Sequence, residues 1–198
     1  MSSVQLNSDA LVGSPAAGQI EYNGQFYATD SSSSRAQMQR LVQGTAVATT
    51  SGTSITFSSI PAWAKRITVM FSGVSTNGTS PPQIQVGSGS VTTSGYLGAN
   101  TYIVSGSSGY ALFTTGFGIG VATGGWSASV VFHGSISINL LSGNNWVASG
   151  VFSRSDTAAS YFTAGSITLG GTLDRVVLTT VNGTDTFDAG SVNILYEG

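Results

Sequence analysis

The stretch Trp126-Ser-Ala-Ser-Val130-Val131-Phe132-His133-Gly134-Ser135-Ile136-Ser137-Ile138-Asn139-Leu140 decides the fold. Val130, Phe132, Ile136, Ile138 and Leu140 fall on one side of an extended chain. Val131, His133, Ser135, Ser137 and Asn139 fall on the other. Side chains alternate between the two faces of a strand, so this period-two pattern reads as a half-buried β-strand and not as a helix. The pattern recurs on both sides of it. Ile55 and Phe57 alternate with hydroxyls, and so do Ile67, Val69 and Phe71. Ile84 and Val86 follow the Pro81-Pro82 break, and further strands are expected near residues 102–104, 110–115, 146–152, 166–169, 173–181 and 191–196. Clusters of Gly, Asn and Ser punctuate them. Many short alternating strands separated by turn signals predict an all-β, jelly-roll-like antiparallel β-sandwich over residues 51–198.

Residues 1–50 differ from the rest. Val4, Leu6, Leu11 and Val12 are scattered in polar sequence. Asn23-Gly24 carries the signature of a two-residue type I′ turn, which would join residues 19–22 to residues 25–29 as a hairpin. Residues 31–34 read as a loop, and residues 35–42 as a short helix or an irregular stem. A lone hairpin is marginal in water, so this segment calls for a partner surface. The expected organisation is an N-terminal attachment and trimerisation segment, an extended hairpin and stem over residues 1–50, ahead of a β head over residues 51–198.

Charged residues make up 7% of the 198 residues, against roughly 25% in an ordinary soluble domain. Between Arg66 and Arg154 there is no Asp, Glu, Lys or Arg. The apolar clusters are too short for a membrane helix, which takes about 20 consecutive apolar residues. The 9 Phe, 7 Tyr and 3 Trp argue against disorder. A formal charge of −2 with no basic block sets nucleic-acid binding aside. The first residues lack a basic region followed by an apolar run, so no secretory signal is expected. There is no cysteine and hence neither a disulfide nor a thiolate metal site.

Little in the chain suggests chemistry. His133 is the only histidine, and it lies on the polar side of its strand beside Ser135. Asp185 and Asp188 near Asn182 offer too few carboxylates for a calcium loop and read as a polar turn. Two opposed carboxylates across a cleft, as a glycosidase needs, are not expected where residues 67–153 hold none. Gly116-Phe-Gly118-Ile-Gly120 has neither the following helix nor the lysine of a nucleotide loop. No catalytic, cofactor or metal residue is assigned. The candidate ligand contacts are Tyr96, Tyr102, Tyr110, Trp126 and Trp146, aromatic residues in or beside Gly-rich stretches that read as loops at 87–100, 105–109, 120–126 and 143–146, poised to stack on a neutral sugar.

Three segments carry a resemblance. Ile60-Pro-Ala-Trp-Ala-Lys-Arg-Ile-Thr-Val-Met-Phe71 runs into Gly73-Val-Ser-Thr-Asn-Gly-Thr79. Residues 173–196 close the chain, from Leu173-Asp-Arg-Val-Val-Leu178 to Val192-Asn-Ile-Leu-Tyr196. Ser14-Pro-Ala-Ala-Gly-Gln-Ile-Glu-Tyr-Asn-Gly24 with Phe26-Tyr27 and Arg35 precedes them. Together these resemble the distal domain and fibre linker of tail-fibre proteins of tailed bacteriophages and prophages. The resemblance implies a homotrimeric virion structural protein, made in the host cytoplasm and exposed on the particle. Its N-terminal segment would meet other virion proteins, and its β head would reach a host surface glycan. It implies no catalytic residue. There is room for almost no shaft, so a short tail or tip fibre is expected, with a stabilising capsid-surface fibre as the alternative.

Overall fold

The computed structural model describes residues 10–121 and 126–198. Residues 1–9 of the expected attachment segment and 122–125 of the loop ahead of Trp126 lie outside the described residues. The chain divides into two compact units, Met1–Arg40 and Leu41–Gly198.

The first unit is a three-stranded antiparallel sheet of β1 (Ile20–Tyr22), β2 (Phe26–Thr29) and β3 (Arg35–Gln37). The hairpin forms as expected, but its turn differs. Tyr22 pairs with Phe26, leaving residues 23–25 as a three-residue loop, and only Gly24 takes a positive φ, of 91°. A type I′ turn needs positive φ at both central residues, so Asn23-Gly24 is not one. Arg35–Gln37 is a strand and not a helix. Its pairing with β2 supplies hydrogen bonds that a helix of so few residues cannot supply for itself. The polar side of this sheet is organised by Glu21. Its carboxylate accepts from Arg35 Nε at 2.7 Å and from the Val12 amide at 2.7 Å, and Arg35 also donates to the Val12 carbonyl. Asp30 closes the next turn by accepting from the Ser32 and Ser34 amides, each at 2.9 Å. The register sets Ile20, Tyr22, Phe26, Ala28, Ala36 and Met38 on the opposite side, where they are exposed or half-buried.

The second unit is all-β and antiparallel. Its remaining strands are β4 (Leu41–Gln43), β5 (Val47–Ala48), β6 (Ser54–Ser58), β7 (Arg66–Thr76), β8 (Pro82–Ser88), β9 (Ser90–Val91), β10 (Leu97–Val104), β11 (Ser107–Phe113), β12 (Phe117–Gly118), β13 (Phe132–Ser142), β14 (Asn145–Arg154), β15 (Ala159–Thr168), β16 (Arg175–Thr180) and β17 (Phe187–Glu197). A nine-stranded sheet runs β11-β10-β15-β14-β13-β7-β17-β4, with β5 also on β17. A five-stranded sheet runs β12-β8-β16-β6, with β9 on β8. The long-range pairs are nested: β7 with β17, β8 with β16, and β10 with β15.

The two sheets share one core. Ile67, Val69 and Phe71 of β7, Phe132, Ile136 and Ile138 of β13 and Phe152 of β14 meet Ile84 and Val86 of β8 and Val176 and Leu178 of β16. The Phe132 and Phe152 rings lie 5.5 and 5.7 Å from that of Phe71, in the tilted and edge-on arrangements that aromatic pairs prefer. The alternation along β13 is as the sequence predicts: Phe132, Ile136 and Ile138 are fully buried while His133 and Ser135 are exposed. The two-residue turn with positive φ at both positions is found at Ser105-Gly106, between Val104 and Ser107. Residues 97–100 and 107–109, expected in loops, are therefore strands.

Residues 41–48 belong to the second unit, so the boundary falls ten residues before the expected one. The reason is that β4 and β5 cover an edge of β17. Gly44 donates to the Ile194 carbonyl at 2.7 Å, the Thr49 amide to Gly190 at 2.9 Å, and the Thr49 hydroxyl to Ala189 at 2.6 Å. Removal of residues 1–40 should leave a folded unit with little change in melting temperature. Removal of residues 1–50 should cost about 1 kcal/mol for each of these hydrogen bonds and expose the β17 edge. Thermal melts of the two truncations followed by circular dichroism distinguish these outcomes.

Candidate functional site

The five candidate aromatic residues separate into two groups. Tyr96, Trp126 and Trp146 are buried, with at most 5% of their surface exposed. Tyr96 is an internal strut. Its hydroxyl accepts from the Val86 amide at 2.7 Å and donates to the Thr92 carbonyl at 3.0 Å, and its ring stands edge-on to Phe117 at 5.0 Å. Burial pushes its phenol up to about 12. Trp126 packs on Phe132 and Tyr161, with ring centroids 5.7 and 5.8 Å away. These three therefore cannot stack on a ligand at the surface. They are large apolar groups next to turns, and turn chemistry does not tell a loop tip from the strand end beneath it. Tyr102 is half-buried and faces Tyr161 at 6.3 Å. Tyr110 is 77% exposed. Of the five, it alone presents a full ring to solvent.

Among the described residues, a concavity that could admit a small molecule lies where β10 and β11 of the large sheet approach β8 and β12 of the small one. It has a volume of about 300 Å³ and is lined by Gln83, Asn100, Leu112, Thr115, Val181 and their neighbours. Its polar groups are neutral and held in place. Gln83 Oε1 accepts from the Thr115 hydroxyl at 2.9 Å and Asn100 Nδ2 donates to the Gly120 carbonyl at 2.6 Å; behind them, Gln85 Nε2 donates to the Thr115 carbonyl at 2.8 Å. Gly116-Phe-Gly118-Ile-Gly120 earns its pattern here. Phe117 and Ile119 are fully buried, and the glycines between them bring the backbone against the amides. A Cβ on Gly116 would meet Gln83 Oε1 at 2.7 Å, and one on Gly118 would meet Asn100 Nδ2 at 2.7 Å.

Gln83 and Asn100 were not among the residues the sequence picked out. A signal existed for Gln83, an amide alternating with Ile84 in a strand whose two faces are both buried. Asn100 sat in a stretch expected to be a loop, so its inward orientation had no register to reveal it.

The titratable groups are engaged structurally. His133 Nδ1 accepts from the Gly73 amide at 3.1 Å and Nε2 faces the Ser155 hydroxyl at 3.2 Å. In the neutral ring this places the proton on Nε2. Asp185 accepts from the Ser80 amide at 2.9 Å and from Asn182 Nδ2 at 2.6 Å, and Asp188 accepts from Ser75. Asp156 is held below the usual carboxylate range by Arg154, with the Val131 amide adding to it, and Asp174 by Arg175 and then the Gly89 amide. The Ser32 hydroxyl and the Ser34 amide do the same for Asp30. Glu197 pairs with Arg66 at 2.5 Å. Among the described residues, no three His, Cys, Asp or Glu side chains gather as metal ligands would. Comparison with protein-family models, curated proteins and solved structures gave no match.

Two measurements follow from these contacts. Tyr96→Phe leaves the Val86 amide and the Thr92 carbonyl short of a partner and should destabilise by about 1–3 kcal/mol, whereas Tyr110→Ala should change stability by no more than about 0.5 kcal/mol. Chemical denaturation reads both. For acid, the signs run one way. Asp30, Asp156 and Asp174 have folded pKa values below their unfolded ones, so what they contribute is complete above about pH 4 and is lost as pH falls through the lowered values. The melting temperature should hold from neutral pH to about pH 5 and then drop below about pH 4. Asp174→Asn should flatten that drop.

Proposed function

We propose that this chain is a non-enzymatic structural protein of a tailed-bacteriophage virion, a short homotrimeric tail or tip fibre that attaches through its N-terminal unit and contacts the host surface through its β unit. One observation carries the reading. Two of the three segments that resemble phage fibres stand at opposite ends of the second unit's sequence, yet they form one piece of structure. β7 pairs with β17 from Arg66↔Glu197 to Thr76↔Phe187. Trp63 packs on Tyr196 at 5.7 Å, and the Lys65 amide donates to the Glu197 carbonyl at 2.8 Å. The two Asn-Gly-Thr loops brace each other at the far end. The Asn77 amide donates to the Thr186 carbonyl at 2.9 Å, Asn77 Oδ1 accepts from the Thr186 amide at 2.9 Å, and the Asn182 amide donates to the Ser80 hydroxyl at 2.9 Å. Two resembling segments that touch are better support than the same residues scattered.

The nested pairing of β7 with β17, β8 with β16 and β10 with β15 supports a jelly-roll reading of the head, since that fold closes by pairing early strands with late ones in this order. The first unit supports the attachment and trimerisation role. Ile20, Phe26 and Met38 are exposed on one side of a sheet too small to supply its own apolar core. Identical subunits around a common axis would cover such sides. For the host contact, the neutral groove lined by Gln83, Asn100 and Thr115 suits an uncharged sugar held by amides. Three copies on one particle add avidity to a weak single contact.

The location is tested by immunogold labelling of intact virions. Label at the tail or its tip is expected, and label spread over the capsid would favour the stabilising surface fibre instead. The contact is tested by adsorption. With so few charges to screen, host binding should be nearly constant between low and high salt. A steep loss with salt would overturn the neutral-sugar reading.

A further inference from the structure

The outward side of the nine-stranded sheet is apolar at one end. Register places Tyr110, Thr101, Phe162 and Val151 in one row across β11, β10, β15 and β14, and Leu112, Ala99, Ala164 and Ser149 in the next. Leu97 and Ile103 extend these rows along β10. Six of these side chains, Leu97, Ile103, Tyr110, Leu112, Val151 and Phe162, are between 42% and 80% exposed. With roughly 200 Å² for a fully exposed side chain of this size, they present about 750 Å². That exceeds the ~300–600 Å² of the largest patch on a typical monomer and approaches the ~800 Å² that each partner contributes to a standard specific interface.

Resting on the reading of the chain as a homo-oligomer, we infer that this face is covered by a second copy of the same chain. Five of the six side chains lie in the stretch between Arg66 and Arg154 that has no charged side chain, and Arg154, which adjoins Ile103 and Phe162 at the border, is already paired with Asp156. A charged partner would therefore find no unpaired charge on the face, and an anionic membrane surface no cluster of Lys or Arg. A neighbouring copy brings the same neutral pleat, and three such faces turned toward a common three-fold axis would cover one another with their side chains interdigitated. With a net charge of −2, the copies hardly repel one another. The border of the face points the same way. β11 ends the sheet, and Ser107-Ser-Gly-Tyr-Ala-Leu-Phe113 holds no charge, proline or register shift. Those are the devices by which an edge strand keeps other chains away. This corner of the molecule is built for close approach by a neutral chain.

The test is light scattering after size-exclusion chromatography on the full chain at micromolar concentration. It compares the wild type, the double variant Ile103→Lys/Val151→Lys and a control, Leu141→Lys, an exposed apolar residue at the end of β13 outside the patch. The wild type and the control should be oligomeric. The double variant, which would bury unpaired ammonium groups in each interface, should associate at least about a hundredfold more weakly and run as a folded monomer. A monomeric wild type overturns both this surface and the trimeric fibre. An oligomeric, folded double variant overturns this surface alone and leaves self-association to another face. Should the double variant fail to fold, thiol labelling decides. The chain has no cysteine, so Thr101→Cys places a single thiol at the centre of the face. Slower maleimide labelling than at exposed Thr184→Cys, with the difference lost on dilution to monomer, supports the interface. Equal rates at both positions overturn it.

Discussion

The pairing of β7 with β17 is the contact on which the rest of the second unit depends. It joins strands separated by more than a hundred residues, so folding must close a long loop before this contact is gained. Once made, it fixes much else. β7 carries β13 on its other edge, and β13 begins the meander through β14 and β15 to β10 and β11. β17 carries β4 and β5. Ile67, Val69 and Phe71 on β7 and Val192 and Ile194 on β17 then face β8 and β16, whose own pairing is the next nested inside the first. The two Asn-Gly-Thr loops lock one end of the pair, and Trp63 on Tyr196 locks the other. A contact order this high is slow to reach, and the braces at both ends hold the register once it forms.

The second constraint is the scarcity of charge. Strands in ordinary antiparallel sheets meet water with lysines and glutamates. Here the outward rows are Ser, Thr, Ala and Asn, broken by apolar side chains at one corner. Hydroxyls and amides solvate the sheet without giving it long-range repulsion. The few charges are placed as local clamps: Arg154 on Asp156, Arg175 on Asp174, Arg66 on Glu197 and, in the first unit, Arg35 on Glu21. A surface made this way suits contacts read by shape, whether with a sugar in the groove beside Gln83 and Asn100 or with an identical sheet.

Strand identity was largely legible along the chain, because a half-buried strand imprints its alternation on the sequence. β6, β7, β13 and β14 follow it closely. The pattern failed where both faces are buried or both are polar. β8 is buried from Pro82 to Gly87 and so shows no alternation in burial. The first half of β15 alternates buried Ala159 and Tyr161 with Ser160 and Phe162, a contrast too weak to register. Turn chemistry was read correctly as punctuation and wrongly as geometry. Asn23-Gly24 makes a three-residue loop, while Ser105-Gly106, a weaker signal, adopts positive φ at both positions.

What the amino-acid sequence determined by itself was therefore local: strand periods, the absence of long helix signals, the charge-free stretch and the compositional break near the N-terminus. These depend on neighbours two or four residues apart. Tertiary structure alone decided which of Tyr96, Tyr102, Tyr110, Trp126 and Trp146 reach solvent, since an aromatic ring beside a glycine turn is equally at home above or beneath a sheet. It alone brought Gln83 of β8 and Asn100 of β10 to one groove, and set β4 and β5 on β17. Such juxtapositions follow from pairings between distant strands, and no short-range pattern encodes them, because the same alternation would serve any partner with a matching apolar face.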